Sequence, residues 1–355
     1  MPRPRVALGR ATLSWLLEPA EPSVRLLTLV DLLGRGASDR QVVQAKRNIG
    51  RRGWALKLLS LQKEGTWWDN PSHCYIPKYS SCVWNLIVLA DLGMTRDDDR
   101  IRNACEHFFK LHNVDSGGFS LRPRGSQRFG PHVCLTGNMV RTLAAIGYAR
   151  DARVTRAVDW LLTQQLKDGG WNCYTSSGAR ISSFKSTITA LWGLAQALQG
   201  TADRDWDASR KRACELLLSH RVFRSSTDGS PIMLDFTKLH YPIHYHYDVL
   251  HALRVLTAFG DTYDPRIDDA VALLIEKRRG GAWDLDGTYR GWTHPHSANG
   301  DWVERPEEYE VVEHGWGDGR TLQLEEAGEP SKWVTLQCLV ILKRLGFLQI
   351  RLPRR

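Results

Sequence analysis

Gln165-Leu166-Lys167-Asp168-Gly169-Gly170-Trp171 is the stretch on which the reading of this chain turns. A glutamine, two glycines and a tryptophan follow directly on an apolar helical run. Working outward, the glycine-plus-aromatic element recurs as Gly65-Thr66-Trp67, Gly117-Gly118-Phe119 and Gly280-Gly281-Ala282-Trp283. Trp67 to Phe119 and Phe119 to Trp171 are each 52 residues, and Trp171 to Trp283 is 112, two periods with slack. Asp228-Gly229-Ser230-Pro231-Ile232 fills that gap as a degenerate copy. Self-similarity at a fixed period marks a repeat architecture.

A second element keeps step with the first: Asp98-Asp99-Arg100-Ile101, Asp151-Ala152-Arg153-Val154 and Asp264-Pro265-Arg266-Ile267. Each follows an apolar run ending in Gly93, Gly147 or Gly260. Glycine there stops one helix and the aspartate caps the next, so the unit is helix, tight turn, helix, glycine loop. Apolar spacing places first helices at 80–92, 133–146, 184–198, 244–259 and 332–345, and second helices at 46–62, 98–112, 152–165, 207–221 and 265–278, with a further first helix at 24–33. The segment 282–331 fits no helix and is read as an insertion or cap. The expected fold is therefore all-α, one domain over 1–355, with about six helical hairpins between about 24 and 346 wrapped into an α/α toroid around an apolar cavity.

Composition agrees with a large apolar core: 42% of the 355 residues are hydrophobic, and the aromatic set leans to tryptophan, 14 against 10 Tyr and 9 Phe. The net charge of +9 lies partly in basic tails, Arg3 and Arg5 at one end and Arg351, Arg354 and Arg355 at the other. Solubility accounts for it; attraction to an anionic membrane surface or a diphosphate is the sharper reading. No nucleic-acid module is visible, so no nucleic-acid partner is expected. Seven scattered cysteines give no Cys-x-x-Cys pair and no disulfide framework, which points to a reducing cytoplasm. Val6 to Leu17, broken by Gly9, Arg10 and Ser14, makes a poor signal peptide, and no apolar run reaches transmembrane length, so any membrane contact would be peripheral.

Gln62-x-x-Gly65-x-Trp67 and Gln165-x-x-x-Gly169-Gly170-Trp171 match the Gln-Trp motif of the squalene and hopene cyclases. On them the chain resembles the terpenoid cyclase and protein prenyltransferase α/α toroids from about Val24 to Gly346. The motif is structural: the glutamine bonds a neighbouring helix end and the indole covers the joint. The resemblance implies that the N-terminal ends of the inner helices face the cavity, where the helix dipole favours an anion.

The family's Asp-x-Asp-Asp acid is absent, and by helix phase its slot falls on Tyr245-His246-Tyr247-Asp248. Asp248 is the candidate catalytic acid, with His246 orienting or recharging it; the competing and better reading is a helix cap. An isoprenoid-like apolar molecule would lie against Trp84, Phe184, Trp192, Tyr245, Tyr247 and Trp333. The family's zinc ligands have their nearest match in His132 and Cys134, with His244 or His246 as the later histidine; no cofactor is expected otherwise. Asp97-Asp98-Asp99 resembles a magnesium motif but occupies the position of a cap. Two functions follow: an isoprenoid cyclase or prenyltransferase, or a non-catalytic toroid that holds a lipid or docks a partner subunit. A carbohydrate-active toroid ranks last, because the inner helix starts offer one carboxylate and not two.

Overall fold

Helical periodicity and glycine stops produce the expected elements, with shifts at the edges. The computed structural model describes residues 6–200, 204–260, 263–289 and 322–350. Among the described residues the chain is all-α apart from two three-residue strands. The helices are α1 (Arg10–Leu16), α2 (Pro22–Leu27, continued by a π-helical turn Thr28–Leu32), α3 (Arg40–Asn48), α4 (Gly53–Ser60), α5 (Cys82–Asp91), α6 (Asp99–His112) and α7 (Val133–Leu143). They continue as α8 (Ala152–Thr163), α9 (Phe184–Ala197), α10 (Arg204–Ser219), α11 (Val249–Leu256), α12 (Asp268–Glu276) and α13 (Lys332–Arg344).

Burial separates two layers. Helix α5 is buried on every face, and α13 from Trp333 to Leu342, whereas α6 and α8 bury one stripe and leave the other in water. Helices α5, α7, α9, α11 and α13 pack in that sequence, and α13 returns to pack on α1, α2 and the π turn. The array thereby closes. Closure is fastened by β1 (Val6–Leu8) pairing in parallel with β2 (Leu348–Ile350), and by Lys332 Nζ donating to the Trp15 carbonyl.

The joints between hairpins explain the repeat. Phe119, Trp171 and Trp283 are fully buried, and the backbone N–H of each donates to a threonine hydroxyl in the first turn of the next inner helix: Thr136, Thr187 and Thr335. The indoles of Trp171 and Trp283 donate to the Leu161 and Leu274 carbonyls of the preceding outer helix. Gln165 reaches Ser209 O at 2.9 Å and Gln62 reaches Arg100 O at 3.0 Å, each in the next outer helix. In the first copy the buried indole is Trp68, which donates to Leu58 O at 2.8 Å, whereas Trp67 is half-buried beside His107. The element read as Gly65-x-Trp67 is thus corrected by one position. Asp98, Asp151 and Asp264 cap as expected, each accepting the backbone N–H two residues on and ion-pairing with Arg100, Arg153 or Arg266.

Two boundaries move. The helix expected over 46–62 breaks at Gly50 and Gly53, with φ of 77° and 70°. The helix expected from 244 begins at Val249, because the preceding loop holds His244 at φ 49°. Segment 282–331 lies mostly outside the described residues, as do the basic tails; its described ends run side by side, Leu285 N–H donating to Glu329 O at 3.0 Å.

Candidate functional site

The starts of α5 and α11 bring two similar loops face to face, Tyr75-Ile76-Pro77-Lys78-Tyr79 and His240-Tyr241-Pro242-Ile243-His244. In each loop the residue two after the proline takes the left-handed backbone region, Tyr79 at φ 65° and His244 at 49°, and their rings stack with centroids 4.7 Å apart. Side chains in that region cost on the order of 1–3 kcal/mol and gather where surroundings over-determine them. Trp84 lies edge-on to both rings and donates its indole N–H to Tyr75 O at 2.8 Å. Tyr245 and Tyr289 complete the group, Tyr289 stacking on His246.

Polar contacts organise this mouth. Tyr79 OH is 2.8 Å from His246 Nε2 and 3.4 Å from Tyr245 OH, and Lys78 Nζ donates to Tyr245 OH at 3.4 Å. Burial alone would raise the Tyr245 phenol; the Lys78 charge, the bonds from Tyr79 and Lys78, and the more distant Lys185 outweigh it and hold it below its usual value. Burial lowers His246 well below the ordinary histidine range, Lys185 and the neighbouring imidazoles adding to the effect.

Asp248 is 1% exposed and caps α11. Its Oδ1 accepts the His251 N–H at 2.7 Å, and its Oδ2 accepts both the His240 N–H at 3.0 Å and the His240 ring Nδ1 at 3.2 Å. Burial opposes a charge on His240, but Asp235 and Asp248 overcome it and raise the imidazole to about 9. Asp248 therefore faces an imidazolium. The residue beside it is His240, in place of the expected His246, because the 240–248 loop folds back on the helix start. Tyr289 OH donates to Asp235 at 3.0 Å and closes the network.

The six expected wall residues divide into three groups. Trp84 and Tyr245 share the mouth. Phe184 and Tyr247 pack together edge-on at 5.3 Å with Phe236, and Tyr247 OH donates to Val222 O. Trp192 and Trp333 form the third group: Trp333 stacks on Tyr241 at 4.4 Å, and half-buried Trp192 carries the guanidinium groups of Arg141 and Arg254 at 3.9 and 4.4 Å. Both arginines pair with Asp91, whose side chain is 2% exposed. The wholly apolar interior expected from the sequence is corrected by this buried charge.

The three expected metal ligands do not form one site. Cys134 is disulfide-bonded to Cys173, which removes the thiolate a zinc ion needs and corrects the expectation of unpaired cysteines. His244 is stacked on Tyr79 in the mouth, and His132 is half-buried, with burial and then Lys78 lowering its imidazole to about 4. Among the described residues no three His, Cys, Asp or Glu side chains converge on a point that could hold a metal.

Sequence reasoning missed Lys78, Tyr79, His240, Tyr289, Asp91, Arg141 and Arg254. Two signals were present: the paired proline loops, and a single charge near the end of an apolar run, as in Leu89-Ala90-Asp91-Leu92, Met139-Val140-Arg141 and Leu253-Arg254-Val255.

No protein-family model and no curated protein matches the sequence. Among solved structures the chain is similar to the type II terpene cyclase MstE from Scytonema, at 20% identity over 74% of this chain and 70% of that one, with a TM-score of 0.41. A variant of that enzyme in complex with geranylgeranyl dihydroxybenzoate matches at 18% identity, the same coverage and a TM-score of 0.40. A protein from Actinoplanes matches at 19% identity over 93% of this chain and 90% of that one, with a TM-score of 0.47. Among the described residues no helix is long and apolar enough to cross a membrane.

Proposed function

We propose that the chain is a terpenoid-cyclase-like α/α toroid of about six hairpins that takes up an isoprenoid or similar apolar small molecule against the aromatic side chains at the N-terminal ends of its inner helices. One observation carries this reading: two strained loops and Tyr289 deliver Tyr79, Trp84, His244, Tyr245 and His246 to a single place. Aromatic faces suit an apolar chain and also attract positive charge. Binding is favoured over alkene protonation, because Asp248 is buried with both oxygens already accepting hydrogen bonds, from two backbone N–H groups and the His240 ring, so neither is turned toward a substrate. The divergent-cyclase reading retains the burial of Asp248 at an inner helix start. A zinc-dependent prenyltransferase reading has no thiolate while Cys134 stays bonded to Cys173.

The test is mass spectrometry of small molecules that stay bound through purification, compared between wild type and Trp84→Ala. An isoprenoid retained by wild type and depleted in the variant supports the reading; no retained lipid, together with no binding of added geraniol, overturns it. Asp248→Asn assayed with squalene and prenyl diphosphates separates the two functions, since only a cyclase loses turnover.

A further inference from the structure

At the floor of the inner ring two guanidinium groups share one carboxylate oxygen. Arg141 Nη2 and Arg254 Nη2 both donate to Asp91 Oδ1, the latter at 3.0 Å. The arginine side chains are 5% and 19% exposed, and Asp91 neutralises only one of them. Asp31 and Arg344 act on each other and feel Arg254, and the carboxylates Glu325 and Glu21, both near Lys332, act on Tyr241. The triad by itself thus carries one positive charge on side chains largely shielded from water, a costly arrangement without a partner. Indoles cover the guanidinium faces, Trp192 over both and Trp333 at 5.5 Å from Arg254.

Three further polar atoms on residues at least nine-tenths buried have no partner here: Tyr241 OH, His244 Nδ1 and His251 Nδ1. His251 packs on Trp192 at 4.6 Å and Tyr241 stacks on Trp333 at 4.4 Å, the two indoles that cover the guanidinium groups, and His244 feels the charge of Asp91. Each such atom costs roughly 1–3 kcal/mol unless something polar meets it. Three of them around one surplus positive charge describe a place built for an anion that also accepts and donates hydrogen bonds. A single carboxylate fits the charge, whereas a diphosphate would set additional negative charge against Asp91.

We propose that the Arg141–Arg254–Asp91 floor receives the carboxylate of a ligand whose apolar body lies against Trp192 and Trp333. Resting on the ligand-binding reading, this makes the molecule an isoprenoid or similar apolar body ending in one carboxylic acid. Arg254, the more exposed of the two arginines, and half-buried Trp192 mark the side from which the acid reaches the floor.

The experiment is isothermal titration of the full chain at low ionic strength with geranic acid, the matching alcohol geraniol, and acetate, on wild type, Arg254→Gln and Arg254→Lys. The expected result is that the acid binds at least about tenfold tighter than the alcohol, a modest value for a charge-assisted hydrogen bond. Arg254→Gln abolishes the difference and Arg254→Lys keeps part of it, with melting temperature and circular dichroism confirming that both variants fold. Equal affinity for acid and alcohol overturns the inference and leaves the isoprenoid reading standing. Acetate binding that depends on Arg254, with neither ten-carbon probe bound, does the reverse. No binding by any probe, with Arg254→Gln only lowering the melting temperature, overturns both and assigns the arginines to offsetting the helix C-terminal dipoles.

Discussion

His240 shows how two neighbouring carboxylates override burial. Its imidazole is raised from 6.5 to about 9, so the ion pairs with Asp235 and Asp248 are complete below pH 6.5 and are lost as the pH rises through 9. Linkage makes this worth roughly 3–4 kcal/mol. Burial raises Glu21 to about 7, which pulls the same way between about pH 4.5 and 7, so the histidine is isolated above that window. The melting temperature of wild type should fall between pH 7 and 9, and that of His240→Gln should stay nearly level; equal slopes would show that His240 is not the group responsible. His112, His132 and His244 act in the opposite sense. Burial lowers them to about 4, 4 and 3, so stability is lost as pH falls below about 6.5 and the buried imidazoles are forced to charge.

Helix pairs meet by two devices. At the joints the indole is the anchor: Trp68→Ala should cost roughly 3–5 kcal/mol, as deletion of a buried aromatic does, and Trp67→Ala below about 1 kcal/mol. Denaturant unfolding of the two variants distinguishes the registers, and the opposite order would restore Trp67 as the motif residue. Between α7 and α9 the device is glycine. A Cβ added at Gly137 would lie 2.7 Å from the Thr189 carbonyl carbon, and one at Gly193 would meet the Gly137 carbonyl oxygen. The helices therefore touch backbone to backbone. Gly193→Ala should separate them and cost about 1–3 kcal/mol, read by chemical denaturation, whereas Gly65→Ala meets no neighbour within 4 Å and is limited to its local φ penalty.

Over the entire ring, stability depends on ties between distant parts of the chain. The Cys134–Cys173 bond closes 39 residues spanning α7, α8 and a joint loop. Chain-entropy arguments give such a loop about 3–4 kcal/mol. Thiol titration of the denatured protein should find the five cysteines outside this bond, Cys74, Cys82, Cys105, Cys214 and Cys338, rising to seven after reduction, with a lower melting temperature. Seven thiols before reduction would remove the bond from the account. Closure at β1 and β2 places Val6 and Leu8 in the core.

Repeat period, helix starts at Asp98, Asp151 and Asp264, and the all-α class were readable from residues alone. Each is a short-range effect: a cap or a glycine stop acts within one turn, and its energy is fixed by a few consecutive residues. The tie of Gln62 and Gln165 to the next outer helix was readable for the same reason, since the repeat fixes what lies one unit away. Nothing local fixed the interior. Asp91, Arg141 and Arg254 each look like a stray charge in an apolar helix, and they become a triad because ring closure brings the ends of α5, α7 and α11 together. Likewise the pairing of His240 with Asp248, the disulfide, and the choice of Trp68 over Trp67 depend on depth and approach. Those are properties of how hairpins stack around an axis, and no single stretch of chain contains them.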